Sequence, residues 1–161
     1  MVTNGGSAAG HEEVGAMLAR DIMTAHPTVV TPDDPILLAA EMMRDRHVGA
    51  LPVIEDLQSR RLAGIITARD IVARCLAEKH GEGCRVRDHM THAKLEWVTP
   101  DSEVDTVVEK MTRAQVRRIP VVDGARGLIG IVAVTDIALR LRLGHPSVVE
   151  ELERMLSLPT P

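Results

Sequence analysis

The chain has 161 residues, of which 45% are hydrophobic, so it can bury one core and fits one domain or two small fused ones. It contains no Phe or Tyr and one Trp, which excludes the aromatic stacking platforms that bind single-stranded nucleic acid. Its formal net charge of −4 gives no global attraction to DNA, RNA or an anionic membrane, so we expect none of these as a partner.

The N-terminal residues 1–13 are rich in Gly, Ser and Ala and lack both a basic region and an apolar run. They are predicted to be a flexible segment rather than a signal peptide or an anchor. No other stretch approaches the roughly 18 apolar residues of a membrane span, so the expected location is the cytoplasm. There, Cys75 and Cys84 are expected to be free thiols.

The rest of the chain contains an internal repeat with an offset of about 67 residues. MT at 23–24 returns at 90–91, VTPD at 30–33 returns at 98–101, LPV at 51–53 returns as IPV at 119–121, and GIITARDI at 64–71 returns as GIVAVTDI at 130–137. The chain is therefore interpreted as a tandem duplication, with one repeat at 14–80, a second at 81–143 and a C-terminal helix and tail at 144–161.

Each repeat is predicted to have the order β-α-β-β-α. Apolar residues at helical spacing predict the first helix of each repeat, namely Ile36, Ala39, Ala40 and Met43, and then Val104, Val107, Val108 and Met111. Two short apolar runs joined by a polar loop follow in each repeat, at 50–54 and 62–66 and at 119–122 and 128–132, and indicate hairpins.

Further helices are predicted after each hairpin and near the C-terminus. The first begins near Ala68, with Ile71, Val72, Cys75 and Leu76 on one apolar face, and its counterpart begins near Thr135. Apolar residues at helical spacing between 146 and 158 predict a C-terminal amphipathic helix. The fold class is therefore α+β.

The motif that follows each hairpin has the residue types of a ribose and phosphate site. Gly64 has no Cβ, so a flat ligand or another backbone can approach the strand closely. The free N–H groups of a helix start attract a phosphate, and Asp70, or Asp136 in the second copy, can accept hydrogen bonds from both hydroxyls of a ribose. Thr67 adds a hydroxyl. The alternative is that both aspartates only cap the following helix, and the duplication of the motif favours nucleotide binding.

This ordered set of motifs, given twice, resembles a pair of cystathionine-β-synthase (CBS) domains, the Bateman module. The resemblance covers roughly residues 18–143, and the free-standing form is similar to small bacterial CBS-pair proteins of hypoxic-response type. It implies two β-α-β-β-α repeats related by a pseudo-twofold axis. It also implies a non-catalytic regulatory module that binds AMP, ADP or ATP, a dinucleotide or an S-adenosylmethionine-like ligand in the cleft between the repeats.

Carried over by position, the resemblance implies two sites, each of which takes its base pocket from the other repeat. The first site comprises Thr67, Arg69 and Asp70 with Leu95, Glu96 and Val116. The second comprises Thr135 and Asp136 with Ala25, His26, Thr28, Val48 and Gly49. Ala133 stands where the first motif has Thr67, so the second site lacks a hydroxyl and is expected to be the weaker one.

The pair Arg117 and Arg118 precedes the IPV motif of the second repeat, where the first repeat has Gly49 and Ala50. The resemblance implies that basic residues at this place reach the central cleft and contact phosphates, for which guanidinium geometry is well suited. Because side chains alternate along a strand, one of the two is expected to dominate. The alternative is a solvated pair on a strand edge.

Other functions have weaker support in the sequence. No Ser-His-Asp order, Walker loop or pair of carboxylates is evident, so no catalytic residue and no enzyme activity is predicted. Several soft metal ligands lie close together, namely Cys75, His80, Cys84, His89 and His92, but their spacing matches no common zinc pattern and no metal site is predicted. A homodimer with an unknown effector protein is expected. The alternatives are a ligand-free, stress-related interaction dimer and a metal or redox sensor.

Overall fold

The computed structural model describes residues 17–80 and 83–141. In chain order the elements are α1 (Ala19–Ile22), β1 (Thr24–Ala25), α2 (Ile36–Arg46), β2 (Ala50–Ile54), β3 (Leu62–Thr67), α3 (Ala68–Asp70), a π-helix (Ile71–Leu76), α4 (Val86–His89), α5 (Val104–Ala114), β4 (Arg118–Val122), β5 (Leu128–Ala133) and α6 (Val134–Leu141). The predicted flexible segment at 1–13 and the C-terminal helix at 144–161 lie outside the described residues.

The two hairpins have the same register and the same irregularity. Ala50 lies opposite Thr67 in the first hairpin and Arg118 lies opposite Ala133 in the second, and both ladders shift register before their last residue pair. The preceding helices, α2 and α5, both end in a left-handed residue, His47 or Gln115. The two repeats therefore share their local structure as the duplication predicts, and the α+β fold class is confirmed.

The first segment of each repeat pairs with the hairpin of the other repeat. Strand β1 adds to β5 in a sheet of order β1-β5-β4, with Ala25 opposite Gly130. Thr91, the counterpart of Thr24, forms an antiparallel bridge with Ile65 of β3. This reciprocal exchange is what a pseudo-twofold relation between the repeats requires, and it was absent from the sequence analysis.

The motif glycines lie where these exchanged segments cross the hairpins. A Cβ at Gly64 would lie 2.7 Å from the carbonyl oxygen of Thr91, and one at Gly130 would lie 3.0 Å from Cγ of Met23. Real Cβ atoms essentially never show contacts shorter than 3.0 Å, so the backbone at Thr91 leaves no room for a side chain on β3. Of the two uses predicted for this glycine, the structure has the close approach of another segment of chain.

Among residues 17–80 and 83–141, the core consists of one cluster per repeat and a third cluster between the repeats. Ala19 and Ile22 of α1 pack in the core of the second repeat, and Val86 of α4 packs in the core of the first. The third cluster contains residues from both hairpins, namely Ile54, Leu62, Val122 and Leu128, with Trp97 packed against it. These contacts fix the position of one repeat relative to the other and with it the shape of the cleft between them.

The helix that follows the first hairpin buries only part of its predicted apolar face. Ile71 and Cys75 are buried, whereas Val72 and Leu76 are 58% and 61% exposed. From Ile71 the helix takes π geometry, with the N–H of Ala77 donating to the carbonyl of Val72 at 2.9 Å. One row of side chains four residues apart therefore contacts the core, and the adjacent apolar row faces outward. Within the described ranges, no helix is both long and apolar enough to cross a bilayer.

Candidate functional site

Two cavities lie where the repeats meet. The first has a volume of about 540 Å³ and the second about 450 Å³, within the range of about 300–1,000 Å³ typical of small-ligand pockets. The first is lined by both hairpins, the start of α3 and the segment 93–96. The second is lined by the counterparts of these elements, including Thr24, residues 26–28, Ala133, Thr135 and Asp136.

The first cavity brings together every residue predicted for the first site, along with both arginines of the IPV motif. Its predicted lining residues are Thr67, Arg69, Asp70, Leu95, Glu96, Val116, Arg117 and Arg118. Arg74 and Lys94 also line it, so that five cationic side chains face two carboxylates. This excess of positive charge suits an anionic ligand such as a phosphate. Arg74 and Lys94 were missed because neither lies in the repeated motif.

The buried carboxylate of Asp70 is held at the start of α3. Its Oδ2 accepts hydrogen bonds from the backbone N–H of Thr67 at 2.9 Å and from the Thr67 hydroxyl at 2.7 Å. The same hydroxyl accepts from the N–H of Asp70 at 3.1 Å. Asp70 therefore caps the helix, as the alternative interpretation predicted, and the Thr67 hydroxyl orients the carboxylate instead of pointing its hydrogen at a ligand.

The second carboxylate oxygen of Asp70 is less constrained. Its Oδ1 lies 3.4 Å from Nη1 of Arg74, whose side chain is 50% exposed, so the ion pair is weak and partly solvated. Because an ionised carboxylate can accept about four hydrogen bonds, capping by Oδ2 leaves Oδ1 able to accept from a ligand hydroxyl. Capping and ligand binding are thus compatible in the same side chain.

The second cavity brings together most of its predicted residues. His26, Thr28, Val48, Thr135 and Asp136 line it. Gly49 lines the first cavity instead, because its carbonyl accepts from the N–H of Ala68 at the start of α3. Ala25 lines neither cavity, since it pairs with Gly130 within the three-stranded sheet. Both residues were assigned to the second site by position alone.

The carboxylate of the second cavity is less firmly held than that of the first. Asp136 Oδ2 accepts from the N–H of Ala133 at 2.9 Å, and Ala133 has no hydroxyl to add the bond that Thr67 makes. Asp136 is half-buried, whereas Asp70 is buried. The cationic lining is also smaller, with Arg46 and Arg118 as its arginines.

Replacing Ala133 with threonine tests the effect of this hydroxyl on stability. Ala133→Thr is expected to raise the free energy of unfolding by about 0.5–1 kcal/mol, because it adds the hydrogen bonds that Thr67 makes in the first repeat. Thr67→Ala is the matched control and should lower it by about 1 kcal/mol. Urea unfolding measures both, and a destabilised Ala133→Thr variant would contradict the equivalence of the two helix starts.

Arg118 lies between the two cavities and lines both. Its guanidinium occupies the space beside Gly49, where an added Cβ would lie 3.6 Å from both terminal nitrogens. Among the described residues no carboxylate forms an ion pair with it. Arg117 lines the first cavity alone. Because Ala50 stands at the position equivalent to Arg118, the cleft has one shared cation and not a symmetric pair.

A cluster of soft ligand atoms lies outside both cavities. The sulfurs of Cys75 and Cys84 and one ring nitrogen of His89 all lie within 4.8 Å of one another. Both cysteines are free thiols. Burial, together with a hydrogen bond between its thiol and Cys75, raises the pKa of Cys84. This direction is opposite to that of a nucleophilic cysteine, which needs a lowered pKa.

The structure thus consists of two repeats that share a helix, a β-hairpin and a second helix, with two ligand-sized cavities between them. The CBS-domain family model matches residues 19–77 and 86–142, and the chain belongs to this family. The predicted resemblance is therefore confirmed. CBS pairs of this kind are regulatory modules, and this chain is one of them.

The sequence similarity to known relatives extends over about three quarters of the chain. The chain is 38% identical over 120 residues to the uncharacterized protein YlbB of Bacillus subtilis, a match that covers 74% of this chain and 79% of that one. It is 36% identical over 123 residues to Hypoxic response protein 1 of Mycobacterium tuberculosis, with 76% and 84% covered.

Solved structures of other CBS pairs have the same fold. Hypoxic Response Protein I, solved with two coordinated zinc ions, aligns with a TM-score of 0.70 at 35% identity over 78% of this chain and 99% of that one. The CBS pair of MJ0100, in complex with 5-methylthioadenosine and S-adenosyl-L-methionine, aligns with a TM-score of 0.67 at 28% identity. The alignment covers 80% of this chain and 98% of that one. CBSX2 in complex with AMP aligns with a TM-score of 0.66 at 26% identity, over 80% of this chain and 98% of that one.

Proposed function

We propose that this chain is a non-catalytic regulatory module that binds an adenine nucleotide in the first cavity, with the second cavity as a weaker site. The observation that carries the proposal is the composition of the first cavity. It combines a buried carboxylate at a helix start, Asp70, with five cationic side chains and an apolar wall. The ligands of MJ0100 and CBSX2 support it, because methylthioadenosine, S-adenosylmethionine and AMP share the adenosine moiety.

Each part of such a ligand has a partner in the first cavity. The ribose hydroxyls would donate to Oδ1 of Asp70, the oxygen that forms the weak ion pair with Arg74, in the manner of the acidic residue of dinucleotide sites. The base would lie against the side chains of Leu95 and Val116, which belong to the second repeat. The phosphate would lie at Arg118, in the middle of the cleft, with AMP, ADP and ATP differing in how far they reach past it.

The regulatory response would be a change in how the two repeats are held together. A nucleotide in the first cavity touches both repeats, so its binding favours the arrangement of the repeats that closes on it. The apolar side chains of Val72, Leu76 and Leu139 are exposed and available for contact with a second copy of the chain, and we propose a homodimer that signals to an effector protein.

Nucleotide titration of the whole chain tests the proposal. AMP, ADP, ATP, adenosine and S-adenosylmethionine are added in turn while heat release and thermal unfolding are followed, with GMP and inorganic phosphate as controls. A ligand at about 100 times its dissociation constant should stabilise the fold by about 2.7 kcal/mol. Absence of heat and of stabilisation with every adenosine ligand would reject nucleotide binding in favour of a ligand-free interaction dimer.

Replacing Arg118 with alanine tests the position of the phosphate. Arg118→Ala is expected to weaken AMP by about 1.5 kcal/mol, because a charge-assisted hydrogen bond is lost, while the affinity for adenosine changes little. Arg44→Ala removes an arginine that lines neither cavity, so it should leave both affinities unchanged. Titration calorimetry gives the two dissociation constants, and an equal loss for AMP and adenosine would assign Arg118 another role.

A further inference from the structure

Three soft ligand atoms from separate parts of the chain converge beside the first repeat. Cys75 belongs to the π-helix, Cys84 precedes α4, and His89 is the last residue of α4. Their ligand atoms lie within 4.8 Å of one another, and the side chains of Cys75 and His89 are almost completely buried, with 2% and 3% of their surface exposed. The cluster is therefore an interior feature fixed by the fold and not a chance approach of mobile surface groups.

The imidazole of His89 has an unsatisfied ring nitrogen. Its Nε2 is buried and has no hydrogen-bond partner. Leaving a buried polar atom unpaired costs about 1–3 kcal/mol, and native structures avoid it unless the atom has another use. A ligand bound within the cluster supplies such a use.

The donor set selects the kind of ligand. Two thiols and an imidazole are soft donors, which favour zinc over the hard cations Mg²⁺ and Ca²⁺ that prefer oxygen. Tetrahedral zinc bound by two thiolates at about 2.3 Å holds the sulfurs about 3.8 Å apart. The two sulfurs of the cluster lie no more than 4.8 Å apart, so a small side-chain movement brings them to this separation.

A fourth ligand is available at the edge of the cluster. The ring centroid of His80 lies 5.4 Å from that of His89. The backbone N–H of His80 donates to the carbonyl of Cys75 at 3.0 Å, which holds the backbone of His80 close to that of Cys75, and the side chain of His80 is exposed.

We propose that Cys75, Cys84 and His89 form a zinc site, with His80 as its fourth ligand. Zinc bound there joins the end of the π-helix to α4. The order Cys-x4-His-x3-Cys-x4-His matches no common zinc pattern, because packing of the π-helix beside α4 brings Cys75 to His89, while His80 and Cys84 lie between these two helices in the sequence.

The zinc site has a direct connection to the first cavity. The carbonyl of His89 accepts a hydrogen bond from Arg74 Nη1 at 2.9 Å, and the same Nη1 lies 3.4 Å from Asp70 Oδ1. A ligand that fixes His89 therefore also fixes the arginine that faces the cavity carboxylate. The zinc site itself does not depend on nucleotide binding.

Cobalt titration of the full chain tests the site. The protein is reduced with a phosphine that binds metal poorly, its two thiols are counted chemically, and Co²⁺ is added while the absorption spectrum is recorded. We expect one Co²⁺ per chain, with a thiolate-to-cobalt charge-transfer band and the visible bands of tetrahedral cobalt, and their loss when Zn²⁺ is added. Absence of the charge-transfer band from fully reduced protein would overturn the proposal, since exposed histidines alone cannot produce it.

Two variants and one control assign the ligands. Cys84→Ser should weaken Co²⁺ binding by more than about 100-fold, because even an outer-shell change costs about 10–100-fold at such sites. His80→Gln alters an exposed side chain, so it tests the fourth ligand without risk to folding and should shift the tetrahedral bands. His92 does not belong to the cluster, so the control variant His92→Gln should bind Co²⁺ with the affinity of the unaltered chain. Unchanged binding by folded Cys84→Ser, as judged by circular dichroism, would also overturn the proposal.

Discussion

Replacing Asp70 with asparagine is expected to remove the tighter of two nucleotide-binding events. The amide can still accept the hydrogen bond from the N–H of Thr67 that caps α3, but it loses the charge and one acceptor oxygen that would face a ribose. Loss of a charged hydrogen-bond acceptor costs about 1.5–3 kcal/mol, which is about a 10- to 150-fold weaker dissociation constant. Titration calorimetry with AMP measures it, and urea unfolding checks that stability is retained.

Asp136→Asn is the matched control in the second cavity. It changes the same chemical group at the equivalent position, where the carboxylate is half-buried and lacks the hydroxyl partner. We expect it to abolish the weaker event or to have no visible effect. If Asp136→Asn removed the tight event and Asp70→Asn left it intact, the order of the two sites would be reversed, and the base pocket would determine affinity instead of the motif.

The sequence predicts the local elements of this fold well, because their signals are local. The helical spacing of residues 36–43 and 104–111 depends on packing against a neighbouring hairpin of the same repeat, and the structure has helices there. The exchange of first segments is different. Strand β1 is only two residues long, which is too short to show an alternating pattern in the sequence. Its partner β5 lies more than 100 residues further along the chain, so the pairing cannot be predicted from local signals.

The candidate sites show the same division. The motif residues Thr67 and Asp70 could be assigned from the repeat, and the partners from the other repeat followed from the family resemblance. The single shared cation could not be assigned, because it depends on the guanidinium of Arg118 turning into the space beside Gly49. No metal site was predicted from the cysteines and histidines, because their spacing matches no common zinc pattern. Spacing does not reveal that packing of the π-helix beside α4 brings Cys75 to His89.

Replacing Gly64 with alanine is expected to lower the free energy of unfolding by about 1–3 kcal/mol, the range for overpacking a filled interior. The added Cβ would lie 2.7 Å from the Thr91 carbonyl oxygen and 3.2 Å from Sδ of Met90. The first of these contacts is with backbone, so the antiparallel bridge between Thr91 and Ile65 must shift. The melting temperature should fall by about 2–4 °C for each kcal/mol lost, as measured by differential scanning calorimetry.

Second substitutions distinguish a backbone clash from a side-chain clash. Gly130→Ala meets the Met23 side chain, so adding Met23→Ala should restore part of the lost stability. Adding Met90→Ala to Gly64→Ala should restore little, because the Thr91 carbonyl remains in place. Gly124→Ala is the control, since a Cβ there meets no atom within 4 Å. If Gly64→Ala were as stable as Gly124→Ala, Gly64 would not be required for the close approach of the Thr91 segment to β3. The close approach of a ligand would then be the remaining explanation for a glycine at this position.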